Sequence, residues 1–303
     1  MKRFLIWLTT LLIIFLCIDR VGGIIMGRLY SSTKAVDEYK INSVVNNMNQ
    51  PVVFMGSSRC HHGYIPSIIR DSIGLSVYNA ALWGERNIYF QYGLLCDFLE
   101  RYTPRVICLE LHPIDFLSTP YSDIDKISPL SPFIGLSQGC DSLFKIEHKF
   151  LEYKISALYR YNSSLVTLVG GLFIENSQKD NGYKPLYKIV DVNDKADEFN
   201  FHFSEQKIQI LMNFVNKCKM RKIQLIIMSS PMYTISPSCK RVYKFVTKFA
   251  ERNHLIYIDH LNDSTFVGKQ KFFFDRGHFN DTGAKIYSSL IGHELRSYIN
   301  IKK

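Results

Sequence analysis

The sequence of 303 residues has no C-x-x-C pair, no Cys/His spacing suited to zinc, no internal repeat and no low-complexity tract. Those absences exclude zinc-finger, thioredoxin-like and solenoid architectures. Tryptophan is scarce, 2 residues against 18 Tyr and 21 Phe, and acidic residues are outnumbered, 27 against 37 basic, which leaves a net charge of +10. Such a surplus favours acidic partners of any kind: phosphate, lipid headgroup or anionic glycan. Nucleic acid is not expected among them, because the basic residues are spread along the chain and no helix-turn-helix, finger or RNA-recognition signature appears. Hydrophobic residues make up 47% and charged residues 21%, which excludes disorder, collagen and coiled coil. The seven Cys read as small buried hydrophobes, as on the apolar run holding Cys108 or the helix-like stretches holding Cys96 and Cys218.

Charge is also missing from Phe4 to Cys17, FLIWLTTLLIIFLC, which follows Lys2 and Arg3. The run is shorter than the roughly 20 residues a full span prefers, so a cleaved signal peptide and an uncleaved anchor both fit. No small-x-small site follows it, and Phe15-Leu16 before Cys17 is unsuited to a lipoprotein signal, so an uncleaved single-pass membrane anchor over 1–28 is expected. Lys2 and Arg3 then remain cytoplasmic and the rest of the chain is extracytoplasmic, in the periplasm or at the cell surface.

After a polar, helical connector over 29–50, strand-like and helix-like stretches alternate. Continuous apolar runs Pro51–Met55, Val106–Leu111, Ile223–Met228 and Leu255–Ile258, with a shorter Ser76–Tyr78, are separated by helix-period stretches at Pro66–Ile73, Asn87–Tyr102, Ser204–Arg221, Lys240–Asn253 and Asn280–Tyr298. Buried strands alternating with helices predict a parallel sheet covered on both faces, a three-layer α/β/α sandwich spanning 51–303. A stretch of about 116–198 interrupts the rhythm with Pro120, Pro129 and Pro132, an amphipathic portion near Phe144–Tyr161 and an apolar patch Leu165–Phe173, and is expected to be an insertion.

Ligands of open parallel sheets gather beyond the carboxyl ends of the strands. There Ser58 follows the first strand at a helix start, where unpaired amides can hold an oxyanion. In FFFDRGHFNDTGA, Asp275 and His278 are three apart, a spacing that sets a carboxylate against imidazole Nδ1 and leaves Nε2 as a base for serine. The structural alternatives are a serine that merely caps a helix and an Asp275 that caps a turn. Gly135-Leu136-Ser137-Gln138-Gly139 matches the G-x-S-x-G nucleophile elbow, but the preceding Ile127–Ile134 carries Pro129 and Pro132 and cannot be a central strand. Cys60 reads as a packed neighbour, and adjacent His61 and His62 point apart on regular backbone.

At these residues the sequence resembles the SGNH (GDSL-like) hydrolase superfamily. Gly56-Ser57-Ser58 occupies the place of Gly-Asp-Ser, with Ser58 as nucleophile, and Asp275-Arg276-Gly277-His278 matches Asp-x-x-His before the last helix. The resemblance implies a flavodoxin-like SGNH fold and an oxyanion glycine within Tyr78–Gly84, with Gly84 its counterpart. The family's Gly-x-Asn-Asp block is replaced by Glu110-Leu111-His112-Pro113, so its oxyanion Asn is missing, and Asn79, Asn87 or His112 are the substitutes at hand. With an N-terminal anchor, the pattern looks most like membrane-anchored relatives associated with cell-surface glycans.

The expected activity is that of an extracytoplasmic serine esterase or O-acyltransferase on O-acyl groups, O-acetyl above all, of a cell-envelope glycan. Ser58, His278 and Asp275 form the expected triad, Gly84 and Asn79 the oxyanion donors, and Arg59, Arg86, His112 and Arg276 the substrate contacts. No cofactor or metal is called for. The alternative is a catalytically impaired glycan-binding or assembly component on the same fold.

Overall fold

The computed structural model describes residues 1–84, 86–119, 121–171, 180–191 and 200–299. Among these residues five strands, β1 (Val52–Met55), β2 (Val77–Asn79), β3 (Val106–Glu110), β4 (Gln224–Ser229) and β5 (Ile256–Asp259), form one sheet, all parallel, in the order β2-β1-β3-β4-β5. The register sets Val52 beside Val77 and Val106, and Ile107 beside Leu225. Successive side chains of a strand point to opposite faces, and the sheet divides accordingly. Val53, Met55, Ile107, Leu109 and Ile227 join one apolar cluster, while Val52, Phe54, Val106, Cys108, Ile226 and Met228 join the other.

The preceding helices are α1 (Lys2–Ser32), α2 (Val36–Asn46), α3 (Ser58–Gly63), α4 (Pro66–Ile73) and α5 (Ile88–Phe98). Among the described residues β3 is followed by four short helices, α6 (Ile124–Ile127), α7 (Gln138–Ile146), α8 (Phe150–Ile155) and α9 (Leu165–Gly171), with a 3-10 turn at Tyr159–Ser164. Then follow α10 (Glu205–Met220), α11 (Pro237–Arg252) and α12 (Asp281–Tyr298). α2, α5, α10 and α11 cover one face of the sheet, and α4 and α12 the other. The molecule is a three-layer α/β/α sandwich, as the alternation of elements predicts, and its strand order is flavodoxin-like. Pro120, Phe173 and the Glu198 end of the expected insertion lie outside the described residues.

α1 is one apolar helix of 31 residues, long enough to cross a bilayer. It runs unbroken through Asp19 and Arg20, where the apolar pattern of the sequence weakens. Residues 29–50 contain the end of α1 and all of α2, whose Lys40 is fully buried. The Lys40 ammonium donates to the carbonyls of Ala81 and Gly182 and to His61 Nδ1 (2.8 Å), so α2 is knitted to the loop after β2.

Candidate active site

β1 ends against Gly56, whose φ of 149° turns the chain sharply into α3. A side chain there would meet Cys60 Cβ and the Glu110 carbonyl at 2.9 Å, so only glycine lets helix, strand and turn approach so closely. Gln91 clamps this turn, accepting from Gly56 N–H (3.1 Å) and donating to its carbonyl (2.9 Å). Ser57 is the N-cap of α3 without a side-chain cap, and Ser58 is the first residue of the helix. The leading amides of α3 therefore keep their hydrogens for another acceptor.

Ser58 Oγ lies 2.7 Å from His278 Nε2. His278 Nδ1 is 2.9 Å from both Asp275 oxygens. With Nδ1–H donating to the carboxylate, Nε2 is left as an acceptor for the Ser58 hydroxyl. Asp275 is itself held: its Oδ1 accepts from the amides of Gly277 (2.8 Å) and His278 (2.9 Å). Burial opposes its ionisation, but the His278 hydrogen bond and those amides more than offset this and hold the carboxyl below its usual value. The loop is closed by a bridge between Phe273 and Phe279, whose rings stack at 4.9 Å, and ends at Asn280, the N-cap of α12 accepting from Gly283 N–H. Thus the Asp-x-x-His-Phe-Asn string builds a pinned turn followed at once by a capped helix. Tyr233 N–H donates to the Arg276 carbonyl (2.9 Å), tying this loop to the one after β4.

A strap over 180–191 crosses the site's flank. Lys184 O accepts from His62 Nδ1 (2.6 Å), Tyr183 donates to Asp281 (3.0 Å), and Val190 N–H donates to Phe273 O (2.8 Å). His61 and His62 pack edge to face at 4.6 Å. Trp83 lies almost parallel to His278, with ring centres 5.9 Å apart and planes 15° apart, and His62 stands edge-on to Trp83 at 4.7 Å. Burial pushes the His62 imidazole down to about 3. Trp83, 45% exposed, and the clamping Gln91 are parts of the site that sequence reasoning missed. Trp83 lies in the Tyr78–Gly84 segment already singled out for Gly84, and its scarcity was the available signal.

Several expected site residues prove to be structural. Arg59 is buried, its Nε 3.3 Å from Glu110 and its other nitrogens donating to Tyr243 Oη (2.7 Å) and to Ser230 Oγ (2.7 Å) and carbonyl. It is a core ion pair and not a substrate contact. Asn79 is likewise committed, both amide hydrogens going to the carbonyls of Cys60 (2.8 Å) and Tyr64 (2.9 Å), so it has none for an oxyanion. Asn87 caps α5 and donates to Asp123 (2.6 Å). Arg86 faces Asp37 of α2 (4.0 Å) and the Asp125 carbonyl (3.3 Å). Arg276 is half-buried within the loop that holds Asp275 and His278.

His112 differs from these. Its Nδ1 accepts from Ile114 N–H (3.4 Å), which places the ring proton on Nε2. Burial, then the charges of Arg59 and His278, push it down to about 3, so the ring is neutral and lies within electrostatic reach of His278. Gly84 adopts φ 82° beside Trp83. Ser137, from the G-x-S-x-G match, caps α7 and donates to the buried Asp97 (2.5 Å). Burial pushes the Cys60 thiol well up, away from nucleophilic thiolate. Among the described residues no group of three or more His, Cys, Asp or Glu converges to hold a metal ion.

Fold and geometry together define a flavodoxin-like α/β protein carrying a Ser-His-Asp constellation at the strand ends. Among solved structures, it is similar to a GDSL-like lipase from Bacteroides thetaiotaomicron, with 10% identity, TM-score 0.44 and coverage of 88% of this chain and 100% of that one. It is also similar to an acetyl xylan esterase (12%, TM-score 0.43, covering 82% and 98%) and to a lipase/acylhydrolase from Enterococcus faecalis (10%, TM-score 0.41, covering 83% and 98%). No family model matches the sequence, and no curated protein matches it.

Proposed function

We propose that this protein is a serine esterase or O-acyltransferase of the SGNH type, acting on O-acyl groups of a cell-envelope glycan while α1 holds it in the membrane. The observation that carries the reading is the chain of contacts Ser58–His278–Asp275, with 2.7 Å and 2.9 Å between its polar atoms. Ser58 Oγ attacks the ester carbonyl as its proton passes to His278 Nε2, and Asp275 stabilises the resulting imidazolium. The oxyanion is held by the amides of Ser58 and Gly84, with His112 Nε2–H in place of the missing Asn side chain. Collapse breaks the acyl C–O bond, and the leaving alcohol takes the proton from His278. Water, or a sugar hydroxyl, then gives its proton to His278 and attacks the acyl-serine; the acyl–Oγ bond breaks as His278 returns that proton to Ser58 Oγ, releasing acid or transferred ester. The exposed face of Trp83 beside His278 suits stacking on a sugar ring.

The test is turnover of p-nitrophenyl acetate by the full chain in detergent, wild type beside Ser58→Ala and His278→Ala. Turnover lost in both variants is the expected result. Equal rates in all three would overturn the enzyme reading and leave a glycan-binding component.

A further inference from the structure

We propose that the outer surface of α8, the Tyr159–Ser164 turn and α9 is a membrane-apposed face that rests in the headgroup and upper acyl region of the bilayer entered by α1. The inference rests on the reading of α1 as an uncleaved anchor and goes beyond the chemistry at Ser58.

α1 does not leave the globular part through a flexible tether. The Asp19 carboxylate accepts from Ser156 Oγ and from the amides of Ala157 (2.9 Å) and Leu158 (3.1 Å). One turn later, Gly23 lies so close to this turn that a Cβ would meet Ala157 Cβ at 2.6 Å, and two turns beyond that Tyr30 packs edge-on to Phe133 at 5.8 Å. The helix is thus locked to the globule from Asp19 onward. The segment before that lock, residues 2 to 18, rises only about 25 Å at 1.5 Å per residue. A hydrocarbon core is about 30 Å thick. The span is completed only if the next turn also enters, and Val21, Ile24 and Ile25 are indeed 50–59% exposed apolar side chains. That depth draws the locked turn 156–158 to the lipid boundary.

The neighbours of that turn are built for it. α8 and α9 both pack against the Tyr159–Ser164 turn, and α1 touches that turn and α9. Leu151 (67%), Ile155 (64%), Val166 (83%) and Val169 (49%) turn outward, as do Leu158 and Leu165. Lys145 and Lys154 sit over the Phe150 ring at 4.8 and 5.2 Å, a cationic rim suited to lipid phosphates. An open cleft of about 320 Å³ between Ser156, Leu158, Tyr159 and Leu165 offers room for part of an acyl chain. A contiguous apolar face of this kind marks a membrane or protein contact, and its continuity with the apolar surface of α1 selects lipid.

The experiment uses the full chain in phosphatidylcholine/phosphatidylglycerol vesicles. One sample carries an environment-sensitive fluorophore on native Cys17, the one exposed thiol. In a Cys17→Ser background, Ile155→Cys, Val166→Cys and, as control on the other face of the sheet, Ile286→Cys are labelled singly. The expected result is quenching by doxyl-labelled lipid at 17, 155 and 166 at least threefold stronger than at 286. Quenching at 17 with 155 and 166 no different from 286 overturns the face and leaves the anchor standing. No quenching at 17 overturns the anchor, and this proposal with it. Blue-shifted but unquenched labels at 155 and 166 mean that protein covers the face, which also overturns the proposal.

Discussion

The loops around Ser58 and the helices from α6 to α9 follow the same sheet, yet they place their polar and apolar groups in opposite ways. Around the site, charged and polar side chains turn inward: Arg59 meets Glu110, Asn79 binds two carbonyls of α3 and its turn, and Lys40 is wholly enclosed. In the α8–α9 region apolar side chains turn outward, with Val166 83% exposed. The first arrangement fixes a geometry, since a buried polar group is stable only with every partner in place. The second contributes nothing to the geometry at Ser58 and, on the reading above, is turned toward lipid. Rigidity at the site and adhesiveness beside α1 are thus separate properties that mutations should separate.

The largest expected effect belongs to the site. Ser58→Ala or His278→Ala should lower ester turnover by about 10³-fold or more with little change in thermal midpoint. Steady-state kinetics beside a melting curve checks this. Next, Glu110→Ala leaves the Arg59 guanidinium buried without its carboxylate and should cost about 3–5 kcal/mol in denaturant unfolding. A variant as stable as wild type would return Arg59 to the list of substrate contacts.

Lys40 offers a sharper measure of the same enclosure. Burial lowers it to about 7 from an ordinary 10.5, so from pH 7 to 10.5 the unfolded chain binds more protons than the fold does at this site. Stability contributed there rises with pH across that window, by up to about 1.4 kcal/mol per pH unit. The stability difference between wild type and Lys40→Met should therefore grow in favour of wild type between pH 7 and 9, and a flat difference would show that Lys40 does not titrate there. Trp83→Ala should raise KM for an acylated glycan about fivefold, for roughly 1 kcal/mol of lost stacking, and change kcat less. The smallest effect is expected beside α1: Asp19→Asn should leave turnover of a soluble ester unchanged and lower stability by about 1 kcal/mol.

The sheet and the contacts joining Ser58, His278 and Asp275 were legible because their signals are local. Val106–Glu110 and Gln224–Ser229 are continuous apolar runs, and α4 and α12 begin and end within a residue or so of their periodic stretches. Asp275 and His278 are three residues apart and followed by their own helix cap, so turn, tautomer and presentation are written in one short string. Arg59, Asn79 and Lys40 were illegible for the opposite reason. Their partners lie 51, 19 and 41 positions away at Glu110, Cys60 and Ala81, and the meeting depends on strand order and register. Arg59 in a loop sequence looks like a surface cation until β1 and β3 are known to be adjacent. Asp19 similarly reads as the end of an apolar run, whereas its acceptor role appears only once residues 156–158 are folded beneath it.

The uninterrupted course of α1 has a mechanical corollary. A stalk continuous with the globule, and latched to it from Asp19 to Tyr30, has no swivel. The hydroxyl of Ser58 is therefore carried at a set height and azimuth relative to the axis of that stalk. Any molecule that is to meet that hydroxyl must come to that position, and lengthening the reach would require cutting the helix and inserting a joint.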